Sequence, residues 1–545
     1  MRLKELLPTI LMLLMLGSAG GYVYLFGDAG RVFWSGFFAM LVFYALIFFM
    51  GSYVARRQKN KAQGSDTMLA GRAIPLWISV FTMCATWLGG GYINGSAEAT
   101  YKSGLMWLQA PWGYALSLIL GGIFFARIMR KYKFRTMLDP LEQKFGKRTT
   151  AVLFVPALVG ELFWTAAILS ALGSTFSIVI GLDPYVSVIL SAVVAISYTA
   201  LGGLWAVALT DVIQLALLFI GLFIVVPFIL SSIGGWDVAW GIYSAKMGGL
   251  TSFLPDQKVL GSYYWNWWDF AFLLVLGGIP WQSYFQRVLA ARSDRTAVNL
   301  SIISGIVCLL AAIPSIIIGV VGYATDWTAY GGAPANSLDI LPFAIKYLTP
   351  TLVATIGLGA VAAAVMSSVD SSILSAASMS VWNVYRPLFQ PNLEERKLGK
   401  LVQINVWIIG IIATIIALSV GSIYVLWALC ADFVYCLLFP ALVCALFDKK
   451  SNKYGAIFGF SIALLLRFGG GEPAFGIPAL LPYPIIDASA EIKDGWRVLV
   501  LFPYRTAAML AGLFGIIIVS RLTQHWEKGK TLQVVELTEP QNNVA

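Results

Sequence analysis

Apolar runs of about 20 residues or more recur from the N-terminus almost to residue 520, separated by short polar stretches, and each can cross a hydrocarbon core about 30 Å thick. Lipid offers backbone amides no hydrogen-bond partner, so these runs predict membrane-spanning helices. The spans fall near 6–27, 31–54, 74–98, 103–127, 149–180, 183–203, 205–231 and 262–287. Six more follow near 298–323, 351–384, 401–418, 420–445, 452–468 and 499–520.

Composition agrees with that pattern. Of the 545 residues, 59% are hydrophobic and 12% charged, against roughly 45–50% and 25% in a soluble domain. A net charge of +10 would suit nucleic acid if the basic residues shared a face or an arm. They are divided among short loops instead, as expected of Lys and Arg retained on the cytoplasmic side, so no nucleic acid is implied. Arg56-Arg57-Gln58-Lys59, Arg127 to Arg148, Arg287 to Arg295, Arg396 to Lys400, Lys449-Lys450 and Arg521 to Lys530 all fall on one side under a single orientation. The opposite loops, near 232–261, 324–350 and 469–498, are longer and of mixed charge. The segment 6–27 reads either as a retained first helix or as a signal peptide.

Cys84, Cys308, Cys430, Cys436 and Cys444 lie in apolar segments without metal or disulfide spacing. The single histidine, His525, follows the last span. No nucleophile–base or metal constellation for an enzyme is visible, and membrane lipids are the surroundings the chain demands.

Two spans are interrupted by glycine, at Leu88-Gly89-Gly90-Gly91-Tyr92 and at Leu276-Gly277-Gly278-Ile279-Pro280-Trp281. Each opens a set of five spans, 74–231 and 262–445. Paired broken helices in corresponding positions point to a transport site at an inverted-repeat interface; kinks or close helix packing are the plainer alternative. The remaining chain divides into flanking spans at 1–73 and 446–522 and a short tail at 523–545.

Charged groups inside spans are costly and mark candidate sites. Asp269 and Asp432 fall near the outer interface, where hydration removes most of that cost. Asp211, Asp370 and Glu161 lie deeper. Ser367, Ser368, Ser371 and Ser372 put adjacent hydroxyls on one helical strip beside Asp370. A sodium ion takes such hydroxyls, carboxylates and the carbonyls of an unwound helix, whereas small residues alone would serve helix packing. Trp87 abuts the first break, Trp281 closes the second, and Trp164 and Tyr114 sit within spans. Such rings can form a box for a quaternary ammonium head, which cannot donate a conventional hydrogen bond. Trp107, Trp112, Trp265, Trp267 and Trp268 read as an interfacial belt. Glu161, a turn before Trp164 on the same face, either balances a cationic substrate or packs as a protonated carboxyl. No basic side chain lies near the breaks; Arg287, about a turn and a half beyond Trp281, is counted with the cytoplasmic loop.

Ala85-Thr86-Trp87-Leu88-Gly89-Gly90-Gly91-Tyr92-Ile93-Asn94-Gly95, Gly277-Gly278-Ile279-Pro280-Trp281-Gln282 and Ala364 through Ser375, together with Thr136 to Pro140 and Gly160 to Trp164, closely resemble the choline-transporting branch of the sodium/solute symporter family from about residue 74 to 470. The resemblance implies an all-α polytopic membrane protein with the leucine-transporter-type five-plus-five inverted repeat and extra flanking helices, with about 13–14 transmembrane helices at some 20 residues each. It implies a choline cage at Trp87, Tyr114, Trp164 and Trp281, with Trp427 in less closely matching surroundings. One sodium site would use Ala85, Leu88, Ala364, Ser367 and Ser368; a further one, as in some relatives, would use Asp211, Ser367, Asp370 and Ser371. Animal members of that branch also require chloride (Cl-), for which these residues give no separate indication.

Together these readings predict sodium (Na+)-coupled import of choline or a related quaternary ammonium compound across the plasma membrane, with the C-terminus cytoplasmic. A symporter for betaine or carnitine, and a non-transporting sensor of quaternary ammonium ligands, are the alternatives. The oligomeric state is left open, a homodimer included.

Overall fold

The computed structural model describes residues 32–59, 72–200, 204–391, 393–484 and 499–535, with residue 69, residues 486–487 and a few positions before residue 32. The proposed span at 6–27 lies largely outside them. Every proposed span from 31–54 onward falls on helix with its ends shifted by a few residues, the spans 74–98 and 262–287 as two helices each.

The helices in order are α1 (Trp34–Lys59), α2 (Leu76–Trp87), α3 (Gly90–Ser103), α4 (Leu105–Lys131), α5 (Lys147–Ile180), α6 (Pro184–Thr199) and α7 (Leu204–Ser232). After a loop come α8 (Tyr264–Gly277), α9 (Gln282–Ala290), α10 (Asp294–Ala324), α11 (Thr351–Phe389), α12 (Glu395–Ser419), α13 (Ile423–Phe447), α14 (Lys453–Gly469) and α15 (Tyr504–Leu522). Two loops carry short helices of their own, Trp236–Met247 and Ile340–Leu348. In the loop before α15, β1 (Ile486–Asp487) and β2 (Leu499–Val500) pair antiparallel.

α5, α11 and α13 form the centre: 78%, 83% and 89% of their apolar windows are buried, against 28% for α12. Small residues make this closeness feasible. α11 carries Gly357, Gly359 and the run Ala360 to Ala364, and it packs against α5, α7 and α1. With lipid as solvent there is no hydrophobic gain from helix contact, so close backbone approach supplies the packing energy. The lipid face is marked by exposed Ile404, Trp407, Ile408, Ile411 and Ile415 on α12.

Both glycine-interrupted spans are broken helices. α2 and α3 meet at 51°. α2 ends at Trp87, Leu88 and Gly89 leave helical geometry, and neither residue has positive φ. Glycine is required there for close approach: a Cβ on Gly89 would stand 2.0 Å from Ser368 Oγ. α8 and α9 are divided by Gly278, Ile279, Pro280 and Trp281; Pro280 has no N–H to continue the helix, and a Cβ on Gly278 would meet Ser117 Oγ at 2.4 Å.

Candidate functional site

The first break frees the carbonyls of the last turn of α2, which have no partner within the helix. α11 meets them with hydroxyls. Ser368 Oγ donates to Ala85 O at 3.2 Å and Thr86 O at 3.0 Å, and Ser367 Oγ approaches Ala85 O at 3.4 Å. Ala364 lies one turn earlier on the face of Ser368, and Leu88 is fully buried at the break. Of the predicted first set, Ala85, Ser367 and Ser368 are thus in direct contact.

The second set lies toward α7. Asp211 accepts from Ser367 Oγ and Thr82 Oγ1, both at 2.5 Å. Asp370 Oδ1 accepts from Thr199 Oγ1 at 2.7 Å, while its Oδ2 is buried without a partner. Ser371 Oγ contacts Thr86 Oγ1 at 3.1 Å and accepts from Arg287 Nη2 at 2.6 Å.

That last bond corrects the assignment of Arg287 to a cytoplasmic loop. The side chain is 1% exposed, donates Nη1 to Ser283 O at 3.2 Å and stands 3.9 Å from Asp211 Oδ2. Hydropathy counts an arginine as polar wherever it lies; a carboxylate two numbered helices earlier, on α7, stands beside this one. Thr82, Thr86 and Thr199 were also missed, although Thr82 and Thr86 are spaced i, i+4 on the broken helix.

The aromatic residues assemble as one cluster. Trp87 has ring-centroid separations of 5.2 Å to Tyr114, 6.0 Å to Trp164 and 6.4 Å to Trp281, and Trp164 and Trp281 are 5.3 Å apart, edge to face. Trp427 stacks on Tyr114 at 4.8 Å. Tyr92, which the sequence did not single out, meets Trp427 at 5.4 Å and anchors its hydroxyl on Cys308 O; its place directly after the glycine triplet was the available signal. Trp281 Nε1 donates to Gly277 O at 2.8 Å, so the second break holds its own indole in place. Glu161 is buried a turn from Trp164; its Oε2 accepts from Ser372 at 3.3 Å, and its Oε1 has no partner.

The remaining predicted positions divide. Trp267 is buried at 2% exposure with Nε1 on Met106 O, whereas Trp265 is exposed. Asp269 and Asp432 are buried, so hydration does not explain them. Asp432 takes Arg467 Nη2 at 2.5 Å and Arg505 Nε at 2.9 Å; Asp269 takes Thr506 N and Oγ1 at 2.6 Å each.

Both ends of the cluster are closed. At one, Glu98 on α3 accepts from Ser422 Oγ at 2.7 Å and Tyr424 N at 3.1 Å, tying α3 to the start of α13. At the other, Ile74 N bonds Ala290 O, Arg292 N bonds Ile74 O, and Arg72 Nη2 bonds Lys133 O at 2.7 Å. No ring of the cluster is more than 4% exposed among Trp87, Tyr114, Trp164, Trp281 and Trp427.

Two broken helices, with serine hydroxyls at the first break and aromatic rings clustered beside both, are the architecture of a secondary transporter that works by alternating access. A Na+-coupled sialic acid symporter solved in a substrate-bound outward-open state superposes with a TM-score of 0.73 over 92% of this chain and 99% of that one, at 20% identity, so the leucine-transporter-type fold is shared. The family model described as "Sodium:solute symporter family" matches residues 68–463, and the chain belongs to that family. It is 46% identical to high-affinity choline transporter 1 of Drosophila melanogaster over 507 residues, covering 91% of this chain and 80% of that protein. It is 45% identical to the Homo sapiens protein of that name over 509 residues, covering 91% and 86%.

Proposed function

We propose that this protein is a sodium-coupled symporter that imports choline, held by Trp87, Tyr114, Trp164, Trp281 and Trp427. The observation that carries this reading is the joining of four indoles and a phenol around the two helix breaks, within a few residues of the serine-lined oxygen set. Aromatic faces attract a trimethylammonium head through their quadrupoles. Sodium is taken by Ala85, Leu88, Ala364, Ser367 and Ser368, and a second ion by Asp211, Ser367, Asp370 and Ser371. Glu161 supplies negative charge to the cationic substrate. Each positive charge moved inward gains roughly 2.3 kcal/mol per 100 mV, so choline with one or two sodium ions gains about 5–7 kcal/mol before any concentration gradient is counted.

The protein works in the cell membrane with its C-terminus cytoplasmic. Basic residues from Arg127 to Arg148, at Lys449-Lys450 and from Arg521 to Lys530 support that orientation, and Lys144 Nζ bonding Lys449 O and Lys530 O holds three of these segments together. The repeats run over 74–231 and 262–445, each opened by its broken helix.

A cationic substrate is favoured over a zwitterion such as betaine, whose carboxylate would need a donor. Among the described residues, the buried arginine near the breaks, Arg287, faces Ser283 O and the Asp211–Ser371 oxygens rather than the aromatic rings. Competition of labelled choline uptake by unlabelled choline, betaine and carnitine tests the reading: choline should compete best, and betaine competing as well as choline would replace it with the osmolyte alternative.

A further inference from the structure

Arg287 shares its partners with the second sodium set, and no part of the function proposed above uses it. Its Nη2 donates to Ser371 Oγ at 2.6 Å and faces Asp211 Oδ2 at 3.9 Å. A hydroxyl oxygen offers two lone pairs. On Ser371 one receives the guanidinium, and the Thr86 hydroxyl lies 3.1 Å away. A sodium ion ligated by Ser371 and Asp211 would therefore sit a few ångströms from a fixed positive charge and compete with it for the same oxygens.

The guanidinium has a way to withdraw without being stranded. Nη1 is held by Ser283 O one turn back on its own helix, and Nε is buried with no partner. Glu161, whose Oε1 also has no partner, lies within electrostatic range of the same guanidinium. Leaving Ser371 thus keeps the tether to Ser283 O, with Asp211 Oδ2 at 3.9 Å and Glu161 within electrostatic range.

We propose that Arg287 is a tethered cation that alternates with sodium at the Asp211–Ser371 oxygens. Sodium entry displaces the guanidinium from Ser371, and its return after sodium leaves keeps Asp211 balanced while the unloaded carrier reorients. This rests on the assignment of Asp211 and Ser371 to a sodium site. Two consequences separate it from a structural ion pair. Removing the charge should tighten sodium binding, since a like charge a few ångströms away is lost. It should also slow net uptake, which needs the empty carrier to return, more than exchange, which does not.

The test uses the full-length protein in proteoliposomes, with Arg287→Gln, Arg287→Lys, Asp211→Asn and the double variant Arg287→Gln/Asp211→Asn. For Arg287→Gln the expected result is a half-saturating sodium concentration for choline binding lowered by about tenfold. Net choline uptake should fall by a similar factor, with choline–choline exchange in saturating sodium kept within about twofold, and Arg287→Lys should restore parent behaviour to within a few-fold. An unchanged or raised sodium requirement in Arg287→Gln, or equal losses of uptake and exchange, overturns the proposal. Recovery of the double variant when Arg287→Gln cannot be recovered from membranes, even in sodium, identifies a structural ion pair and also overturns it, as does failure to recover either. Asp211→Asn judges the underlying assignment separately: if its sodium dependence equals the parent's, Asp211 holds no sodium, whatever the arginine variants do.

Discussion

Two buried ionic clusters lie in this bundle, and they differ in how completely their atoms are paired. In one, Arg467 and Arg505 bind Asp432, Arg467 also binds Glu472 at 2.6 Å, and Asp269 receives Arg505 N and Thr506. Every carboxylate there has hydrogen-bonded donors, and the cluster fastens α8, α13 and α14 to α15. In the other, Glu161 Oε1, Asp370 Oδ2 and Arg287 Nε are all buried without partners, and Arg287 is 3.9 Å from Asp211. A buried polar group left unpaired costs free energy. The saturated cluster holds helices together; the unsaturated one coincides with the oxygens proposed for sodium.

Breaking the saturated cluster should give the largest effect. Asp432→Ala leaves Arg467 and Arg505 short of a counter-charge, and removing one partner of a buried pair costs about 3–5 kcal/mol. The loss of thermal stability should be the same with and without sodium; a loss that sodium or choline reverses would move this cluster into the transport cycle. Next, Gly89→Ala forces a Cβ toward Ser368 Oγ, and overpacking of this kind costs about 1–3 kcal/mol. Its effect should be strongest on sodium-dependent uptake, because the displaced hydroxyl is a proposed ligand. Parent-like uptake would mean that the break tolerates displacement and that Ser368 is not a ligand.

The aromatic cluster should respond more mildly. Trp87→Ala, Trp164→Ala and Trp281→Ala each remove a cation–π contact worth about 0.5–2 kcal/mol. Equilibrium choline binding should weaken several-fold to some tens-fold in each, with the folded protein recoverable, and unchanged affinity in all three would dismiss the cage. The smallest expected effect is that of Ser368→Ala, followed upward by Ser367→Ala, which touches both oxygen sets through Ala85 O and Asp211. Each should raise half-saturating sodium by a few-fold, in line with the roughly 0.5–1.5 kcal/mol of one polar contact, with little change in choline affinity at saturating sodium. Parent sodium dependence in both would return the serines to helix packing.

The contrast between the clusters also marks what the sequence makes legible. Span positions follow from apolar length alone, and both broken helices follow from glycine and proline at mid-span. Trp87, Trp281, Trp164 and Tyr114 could be named because mid-span rings beside breaks have few other uses, and the structure brings them together. Trp427 came through family resemblance, and Tyr92 not at all. What stayed hidden was pairing at long range. Asp269 and Asp432 read as interfacial because their partners, Arg467 and Arg505, lie on other helices. Arg287 reads as a loop residue because its proximity to Asp211 depends on how α7 and α9 each pack against α11 and α2, which hydropathy does not encode. The helices Trp236–Met247 and Ile340–Leu348 fall within the loops 232–261 and 324–350 of the hydropathy pattern because neither is long enough to span lipid.

The central claim is that the sodium gradient drives choline inward through this site. Purified protein in proteoliposomes, given labelled choline under an inward sodium gradient, under equal sodium on both sides, and with potassium in place of sodium, tests it directly. The account predicts transient accumulation above equilibrium only with the inward gradient, made larger by an inside-negative potential; accumulation that is the same in potassium, or that never exceeds equilibrium, would contradict it.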